Sequence, residues 1–254
     1  MSESLRVVLA ERPKAEIIPG QTFKTEKQPI PREQDLKDGE VLVENIYLSL
    51  DPAMRGWLND KRSYLPPVQI GETMRGAAVS RILASKSDKA AAGDIIPTYA
   101  GWAEHAILPP AAIQPAAAYP PISHPTDYLS VLGTTGLTAY FGMLHIGEPK
   151  AGETVVVSGA AGATGSVAAG PRNYTQIITM RIKMQGFIIL DFAKEFPQAR
   201  KDLAQWLDEG KIKRKDTIVQ GGLQVAEQAL VDLYNGINTG KMIVEIKNPA
   251  QAKL

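Results

Sequence analysis

The first half of the chain alternates short apolar runs with turn residues. The runs occupy residues 7–10, 40–50, 77–83 and 94–108, and proline and glycine clusters separate them. Short apolar runs with such boundaries are typical of β-strands. From Arg6 to about Pro125 the pattern therefore predicts a small β-rich, barrel-like domain.

One of these runs, Glu40–Leu50, alternates apolar and polar positions in part and directly follows the turn signal Asp38-Gly39. Alternation with a period of two predicts a strand with one buried face. A connector rich in proline then begins at Pro109, and its composition differs from that of both flanking regions. We interpret it as the approach to a domain boundary.

After this connector the apolar period becomes helical. Residues Asp127–Leu144 predict two helical segments, interrupted at Gly133–Gly136. Further along, Phe187–Leu190 is a candidate for a buried strand, and Phe192–Glu209 predicts an amphipathic helix that stops at Gly210. A short helix over Val225–Tyr234, ended by Asn235-Gly236, and a final strand over Lys241–Ile246 complete the pattern.

Between these regions lies a glycine turn of the kind that binds the pyrophosphate of a dinucleotide. The β-branched run Thr154–Val157 precedes Gly159, Gly162 and Gly165, as in a strand that leads into a phosphate-binding turn. Four residues then separate Gly165 from Gly170-Pro171, and this proline cannot continue a helix. The first crossover helix of a dinucleotide fold is therefore missing from this position.

The amino-acid composition limits the classes of function that the chain can have. The chain has 254 residues, of which 44% are apolar and 22% charged, with 28 basic against 27 acidic side chains. A nearly balanced charge without basic runs argues against nucleic acid or a membrane as partner, and favours a small molecule. The absence of cysteine, and of metal-ligand spacing among His105, His124 and His145, predicts no metal. The N-terminus lacks the apolar core of a signal peptide, so we expect a cytoplasmic protein.

Several strings together carry a family resemblance, and they follow one another in order over nearly the whole chain: DPAMRG (Asp51–Gly56), MRGAAV (Met74–Val79), LGTTGLTAYFGML (Leu132–Leu144), GETVVVSGAAGATGSV (Gly152–Val167), GPRNY (Gly170–Tyr174) and NTGKMIVEI (Asn238–Ile246). The chain closely resembles the zinc-independent medium-chain dehydrogenases/reductases. Within them it is similar to the NADPH-dependent double-bond reductases that act on alkenals, prostaglandins and curcumin.

The resemblance implies an α/β fold class with a β-rich domain, that is, a GroES-like barrel plus a truncated, doubly wound Rossmann-type domain. Residues 1–126 would form the GroES-like catalytic domain, residues 127–224 the truncated nucleotide-binding domain, and residues 225–254 the return to the catalytic domain. The family often forms homodimers. Its long segment between GATGSV and GPRNY is absent here, whether omitted from the printed sequence, deliberately removed, or lost through a skipped exon.

The resemblance also assigns site residues. It implies pyrophosphate contacts by Gly162, Ala163, Thr164 and Gly165, a strand edge beside the nicotinamide at Phe187, Ile188 and Ile189, a cofactor hydrogen bond from Asn238, and a carboxamide contact by Thr138. Tyr64 matches a tyrosine that lines the substrate pocket, where a phenol can stabilise a substrate oxygen as it gains negative charge. Against these roles stand ordinary ones: a tight turn for the glycines, core packing for Phe187–Ile189, and a partly buried loop position for Tyr64.

The function implied is hydride transfer from NADPH to the β-carbon of an α,β-unsaturated aldehyde or ketone. Two alternatives stay open: an inactive truncated chain that serves as a binding or dimerising module, and a quinone reductase of the same fold. Arg55 and Arg75 could steer an anionic substrate or a cofactor phosphate, or have structural roles. Tyr140 either borders the nicotinamide or packs in the core.

Overall fold

A computed structural model describes residues 3–63, 65–153 and 186–248 of the chain. Its strands are β1 (Glu3–Leu9), β2 (Phe23–Pro29), β3 (Val41–Ser49), β4 (Ala78–Ser85), β5 (Ile95–Thr98), β6 (His105–Leu108), β7 (Asp216–Val219) and β8 (Lys241–Glu245). Its α-helices are α1 (Met54–Trp57), α2 (Thr134–Phe141), α3 (Phe196–Asp208) and α4 (Ala226–Tyr234). A π-helix (Gly142–Gly147) extends α2, and short 3-10 helices include Pro125–Tyr128 and Ile189–Glu195.

The main sheet is built around β3. One edge of β3 pairs with β4, and its other edge is shared by β6 and β8, all antiparallel. β7 adds to β8 in parallel, so the strand order is β5, β4, β3, β8, β7. β1 and β2 form a separate antiparallel hairpin. The last strand of the chain therefore lies inside a sheet made mostly of its first half.

The prediction that residues 40–50 form a strand with one buried face is half right. The strand is present, but all nine residues of β3 are buried because the strand is central and covered on both sides. Burial includes the polar Asn45, whose amide donates to the carbonyls of Gly101 and Ala103, at 3.1 and 2.6 Å, and accepts from Ser80 Oγ at 2.6 Å. A buried polar side chain is tolerated when its hydrogen bonds are satisfied in this way.

The largest core lies between the β1–β2 hairpin, the end of β3 and helix α4. Trp102 is fully buried there and stacks on Phe23, with ring centroids 5.3 Å apart. Helix α4 contributes Ala226, Ala229 and Leu230, whose spacing of three and four residues places them on one face. The C-terminal helix thus shares a core with the N-terminal strands.

A second core joins α2 to α3 through aromatic rings. Phe141 is fully buried and stacks on Phe192 with centroids 4.6 Å apart, while Tyr140 stacks on Trp206 at 5.7 Å. The predicted strand over Phe187–Leu190 is wrong. Residues 186–188 have no regular structure, a 3-10 helix begins at Ile189, and Leu190 is 53% exposed. Short apolar runs do not by themselves distinguish strand from helix, and this one packs partly against the aromatic core.

Most other elements agree with their predictions to within a few residues. The helix expected over Phe192–Glu209 begins at Phe196, because a 3-10 helix occupies its predicted first turn, and Pro197 suits the start of the α-helix. Gly210 ends it with a φ of +70°. The sequence missed β2 and β7, since β2 is polar and largely exposed and β7 has only four residues. None of the helices in the described ranges is long and apolar enough to cross a membrane.

Candidate functional site

Two of the recognised strings meet at one end of the sheet. The string Asp51–Gly56, here called the Asp51 turn, follows β3, and the segment Asn235–Gly240, here called the Asn238 loop, precedes β8. Because β3 and β8 run antiparallel, with Ser49 opposite Ile243, the end of one strand lies beside the start of the other. The pairing therefore brings the Asp51 turn and the Asn238 loop together.

Hydrogen bonds within the Asn238 loop and to Thr217 hold the loop in place. Asn238 Nδ2 donates to the carbonyl of Gly240 at 2.6 Å. Thr217 Oγ1 donates to the carbonyl of Thr239 at 2.8 Å and accepts from the amide of Thr239 at 3.1 Å. Asn238 Oδ1 receives no hydrogen bond from any residue that the structure describes, and the side chain is half-buried. The loop therefore presents an amide oxygen with acceptor capacity.

Side chains on both flanks of this loop hold the Asp51 turn. The Tyr234 hydroxyl donates to the carbonyl of Pro52 at 3.2 Å. Burial raises the pKa of Tyr234 to about 12, so this phenol stays neutral at physiological pH. On the other flank the Lys241 ammonium contacts the Asp51 carboxylate and donates to the carbonyl of Leu50 at 3.0 Å.

Arg55 and Arg75 both have structural partners. Arg55 Nε and Nη2 donate to the carbonyl of Ala15 at 3.1 and 2.8 Å, and Nη2 also reaches the carbonyl of Pro13 at 3.1 Å. Arg75 Nη1 donates to the carbonyl of Pro66 at 2.9 Å, and its guanidinium lies 5.9 Å from the ring centroid of Trp57. These contacts support the structural role for both arginines over the steering of an anion.

The α2 helix carries Thr138 and Tyr140. Thr138 is half-buried and donates to the carbonyl of Thr134 at 2.7 Å, so its hydroxyl proton is already engaged while the oxygen can still accept. The Tyr140 hydroxyl donates to Asp202 at 2.6 Å, and this hydrogen bond, with burial, raises its pKa to about 12. For Tyr140 the geometry supports core packing, which was one of its two expected roles.

The three residues Phe187, Ile188 and Ile189 lie beside the end of α2. Phe187 and Ile189 pack against the aromatic core, and the Phe187 ring approaches Gly142 so closely that a Cβ there would lie 3.3 Å from it. Ile188 is 41% exposed and extended, with φ of −121° and ψ of 128°. Packing therefore accounts for Phe187 and Ile189, and a cofactor contact stays a prediction that Ile188 is best placed to make.

Five predicted site residues lie outside the described ranges: Tyr64, Gly162, Ala163, Thr164 and Gly165. Their roles stay predictions. Of the others, the structure brings Asn238 to the Asp51 turn, and it places Thr138 and Phe187–Ile189 on the α2–α3 unit.

Sequence reasoning missed a polar junction between the two halves. Asp127 is 1% exposed and accepts from Arg214 Nη1 at 2.6 Å, while Thr126 Oγ1 donates to Asp216 at 2.8 Å. Burial raises the pKa of Asp216, and the Thr126 hydrogen bond and the charge of Arg214 oppose this shift. No sequence signal marks such a junction, because its partners lie almost 90 residues apart.

The histidines have structural environments. His105 is buried, with Nδ1 2.9 Å from Ser4 Oγ and Nε2 3.5 Å from Glu44, and burial lowers its pKa. His124 caps the 3-10 helix at Pro125, and His145 lies 3.6 Å from Glu195. Within the described ranges no three acidic, histidine or cysteine side chains group as metal ligands. An open depression of about 600 Å³ near Glu33 and residues 83–94 involves none of the site residues named above.

The β-rich N-terminal half, whose sheet includes the C-terminal strand β8, has the fold of the medium-chain dehydrogenases/reductases, and the chain is similar to the zinc-independent members of that class of oxidoreductases. Residues 6–116 match the family model described as the N-terminal domain of oxidoreductase.

Among its relatives is the NADPH-dependent curcumin reductase of Escherichia coli, which is 27% identical over 339 residues, covering 95% of this chain and 96% of the relative. Prostaglandin reductase 1 of Bos taurus is 41% identical over 133 residues, which cover 52% of this chain and 38% of the relative. The crystal structure of CurA from Vibrio vulnificus in complex with NADPH is similar at 29% identity with a TM-score of 0.80, covering 96% of this chain and all of CurA.

The match to the curcumin reductase also measures what this chain lacks. The match is 339 positions long, whereas 95% of 254 residues supplies only about 241 of them. About 98 positions of the relative thus have no counterpart here. This shortfall agrees with the absence of a long segment between the GATGSV and GPRNY strings.

Proposed function

We propose that this protein is an NADPH-dependent oxidoreductase that reduces the carbon–carbon double bond of α,β-unsaturated aldehydes or ketones. The observation that carries the proposal is the meeting of the Asn238 loop and the Asp51 turn at one end of the sheet. It occurs in a chain that is similar over 96% of its length to CurA of Vibrio vulnificus, which was crystallised with NADPH. The proposal includes a cytoplasmic homodimer as the working form.

The described residues fit one side of such a cofactor. Asn238 offers an amide oxygen that accepts no other described hydrogen bond, and Ile188 offers extended, partly exposed backbone. Thr138 can still accept a hydrogen bond from a carboxamide N–H through its hydroxyl oxygen. The backbone amides of Gly162–Gly165 would hold the pyrophosphate, as glycine turns of this kind do.

Bound NADPH supplies the hydride that adds to the β-carbon of the substrate. The chain's own contribution is to orient the substrate and to stabilise charge. Tyr64 donates a hydrogen bond to the carbonyl oxygen, which becomes an enolate oxygen as the β-carbon accepts the hydride, and a proton added at the α-carbon completes the reduction. A water-poor cleft strengthens this hydrogen bond, because the local dielectric is low.

The shortfall of about 98 positions favours a second candidate, an inactive chain that acts as a binding or dimerising module. The two candidates differ in cofactor binding. A complete βαβ crossover needs roughly 30 residues, so a phosphate turn without its helix loses the dipole that faces the pyrophosphate. The module predicts a stable fold with no affinity for NADPH.

The test is a fluorescence titration with NADPH, followed by NADPH consumption at 340 nm with a panel of enals, enones and quinones. Intact mass is measured first, and 27.4 kDa identifies the chain as printed. The proposal expects saturable binding that weakens in Asn238→Ala, and turnover of enones that falls in Tyr64→Phe while NADPH affinity stays unchanged. A flat titration supports the inactive module, and turnover of quinones alone supports the quinone reductase.

A further inference from the structure

Lys241 is buried, which is unusual for a lysine. It is 2% exposed, and no other lysine or arginine in the described ranges is among the buried residues. A buried ammonium is stable only when it is paired and hydrogen-bonded. Its partners here are the carboxylate of Asp51 and the carbonyl oxygen of Leu50. These two contacts therefore offset the cost of burying the charge of Lys241.

The partners of Lys241 are Asp51 of the Asp51 turn and the preceding Leu50, and its backbone directly follows the Asn238 loop. Asp51 is itself fixed, since its second oxygen accepts from Ser49 Oγ at 2.7 Å. On the other side, the amide of Lys241 donates to the carbonyl of Lys215 at 2.9 Å, which anchors the residue at the entry to β8. One side chain therefore connects two segments that lie 190 residues apart in the chain.

A second hydrogen bond connects the other flank of the Asn238 loop to the Asp51 turn. Tyr234, which precedes the Asn238 loop, bonds the carbonyl of Pro52, the residue next to Asp51. The loop therefore leaves and re-enters regular structure at two residues that both hold the Asp51-Pro52 dipeptide. Of the two tethers, the Lys241 contact is charge-assisted, with a lysine side chain that is 2% exposed and an Asp51 side chain that is 25% exposed. Charge-assisted hydrogen bonds are roughly twice as strong as neutral ones.

We infer that Lys241 is a positioning residue that locks the Asn238 loop, and with it the cofactor contact of Asn238, against the Asp51 turn. The cofactor contact rests on the proposed function, whereas the coupling of the two segments does not. Asn238 touches the cofactor in this scheme, and Lys241 acts through it. A hydride donor and acceptor must be held to within a fraction of an ångström, so a loosened lock lowers turnover more than affinity for substrate.

The first measurement is hydrogen exchange of the whole chain, in wild type, Lys241→Met, Lys241→Arg and Lys211→Met. The Lys211 variant is the matched control, since it removes an exposed lysine that pairs with Glu209. We expect Lys241→Met to speed exchange at least 10-fold in residues 50–57 and 236–241 together, while β3 and β4 stay protected. Lys241→Arg should restore most of the protection, and Lys211→Met should leave both segments unchanged. Faster exchange in one segment alone, in neither, or across the whole sheet overturns the inference.

The second measurement is a double-mutant cycle on NADPH affinity with Lys241→Met and Asn238→Ala. If Lys241 acts through the Asn238 loop, each single variant weakens binding about 10-fold and the double variant weakens it no further. Independent effects that multiply to about 100-fold overturn the link to the cofactor. A wild type that binds no NADPH refutes the proposed function instead, and the exchange experiment still decides the coupling.

Discussion

Two glycines within the Asn238 loop give a matched test of how tightly the loop is packed. Gly236 and Gly240 have nearly the same left-handed backbone, with φ of +70° and +73°. They differ in surroundings. A Cβ on Gly236 would meet nothing within 4 Å, whereas a Cβ on Gly240 would overlap the carbonyl of Lys215, lying 2.6 Å from its carbon atom. Alanine substitution at each position therefore separates backbone strain from collision.

The strain should be common to both variants. A left-handed conformation disfavours a residue with a Cβ by about 1–2 kcal/mol. In Gly240→Ala the Lys215 carbonyl carbon must also retreat by about 0.8 Å to reach ordinary contact near 3.4 Å, and the carbonyl oxygen, which the Cβ overlaps more deeply, must move further. That movement breaks the 2.9 Å hydrogen bond from Lys241 N to Lys215 O and disturbs the two Thr217–Thr239 hydrogen bonds.

Each hydrogen bond lost removes about 1 kcal/mol. We therefore expect Gly236→Ala to lower the free energy of unfolding by about 1–2 kcal/mol, and Gly240→Ala to lower it by about 4–5 kcal/mol. The assay is urea unfolding followed by circular dichroism at pH 7, with the slope checked for constancy. If the two variants agree to within about 0.5 kcal/mol, the tight junction between β7 and the Asn238 loop does not exist as described.

Three further predictions concern the cores and the buried charges. Phe141→Ala should destabilise the α2–α3 unit by about 3–5 kcal/mol and raise its hydrogen exchange, while β3 stays protected; equal losses in β3 would mean that the halves unfold as one. Burial lowers the pKa of His105, so the folded chain binds fewer protons than the unfolded chain below the ordinary value of 6.5. The free energy of unfolding should therefore fall from pH 7 to pH 5 in wild type, and less in His105→Gln. Measurements of this free energy at both pH values check the prediction. Burial raises the pKa of Asp216, so the ionised carboxylate opposes folding at pH values above its ordinary pKa of 3.8. Asp216→Asn should therefore raise the urea midpoint at pH 7. A lower midpoint would mean that the carboxylate is needed as an acceptor for Thr126.

Much of the fold follows from the spacing of apolar residues. The predictions of the strands at residues 41–49 and 241–245 and of the helices at 196–208 and 226–234 are confirmed within a few positions, because each carries a strong local pattern with recognisable ends. The predicted strand at Phe187–Leu190 is wrong, since four apolar residues carry no period of their own and tertiary packing decides their structure. β2 was missed because FKTEKQP is polar, and its pairing with β1 supplies what local propensity does not.

Some residues of the candidate site could also be predicted from the sequence, and others could not. Asn238 and the Asp51 turn could be selected from the sequence because their strings resemble a family. Lys241 could not, since a lysine in a strand is ordinarily exposed and nothing local indicates that Asp51 lies beside it. The same holds for Arg214 and Asp127, whose contact depends on where the chain enters and leaves the α2–α3 unit. Functional residues within a single sequence motif could be predicted from the sequence. Contacts between residues far apart in the chain could be found only in the structure.

The position of the C-terminal segment has a consequence for how a shorter chain can still fold. β8 pairs with β3, and α4 packs into the core around Trp102, so the barrel is completed by residues that follow the missing positions. The described core is therefore built from residues near the two ends of the chain. Under the proposed function, the absence of about 98 positions of the curcumin reductase acts first on contacts to the cofactor. For this reason NADPH affinity, measured on a chain already shown to be folded, is the quantity that separates the reductase from the inactive module.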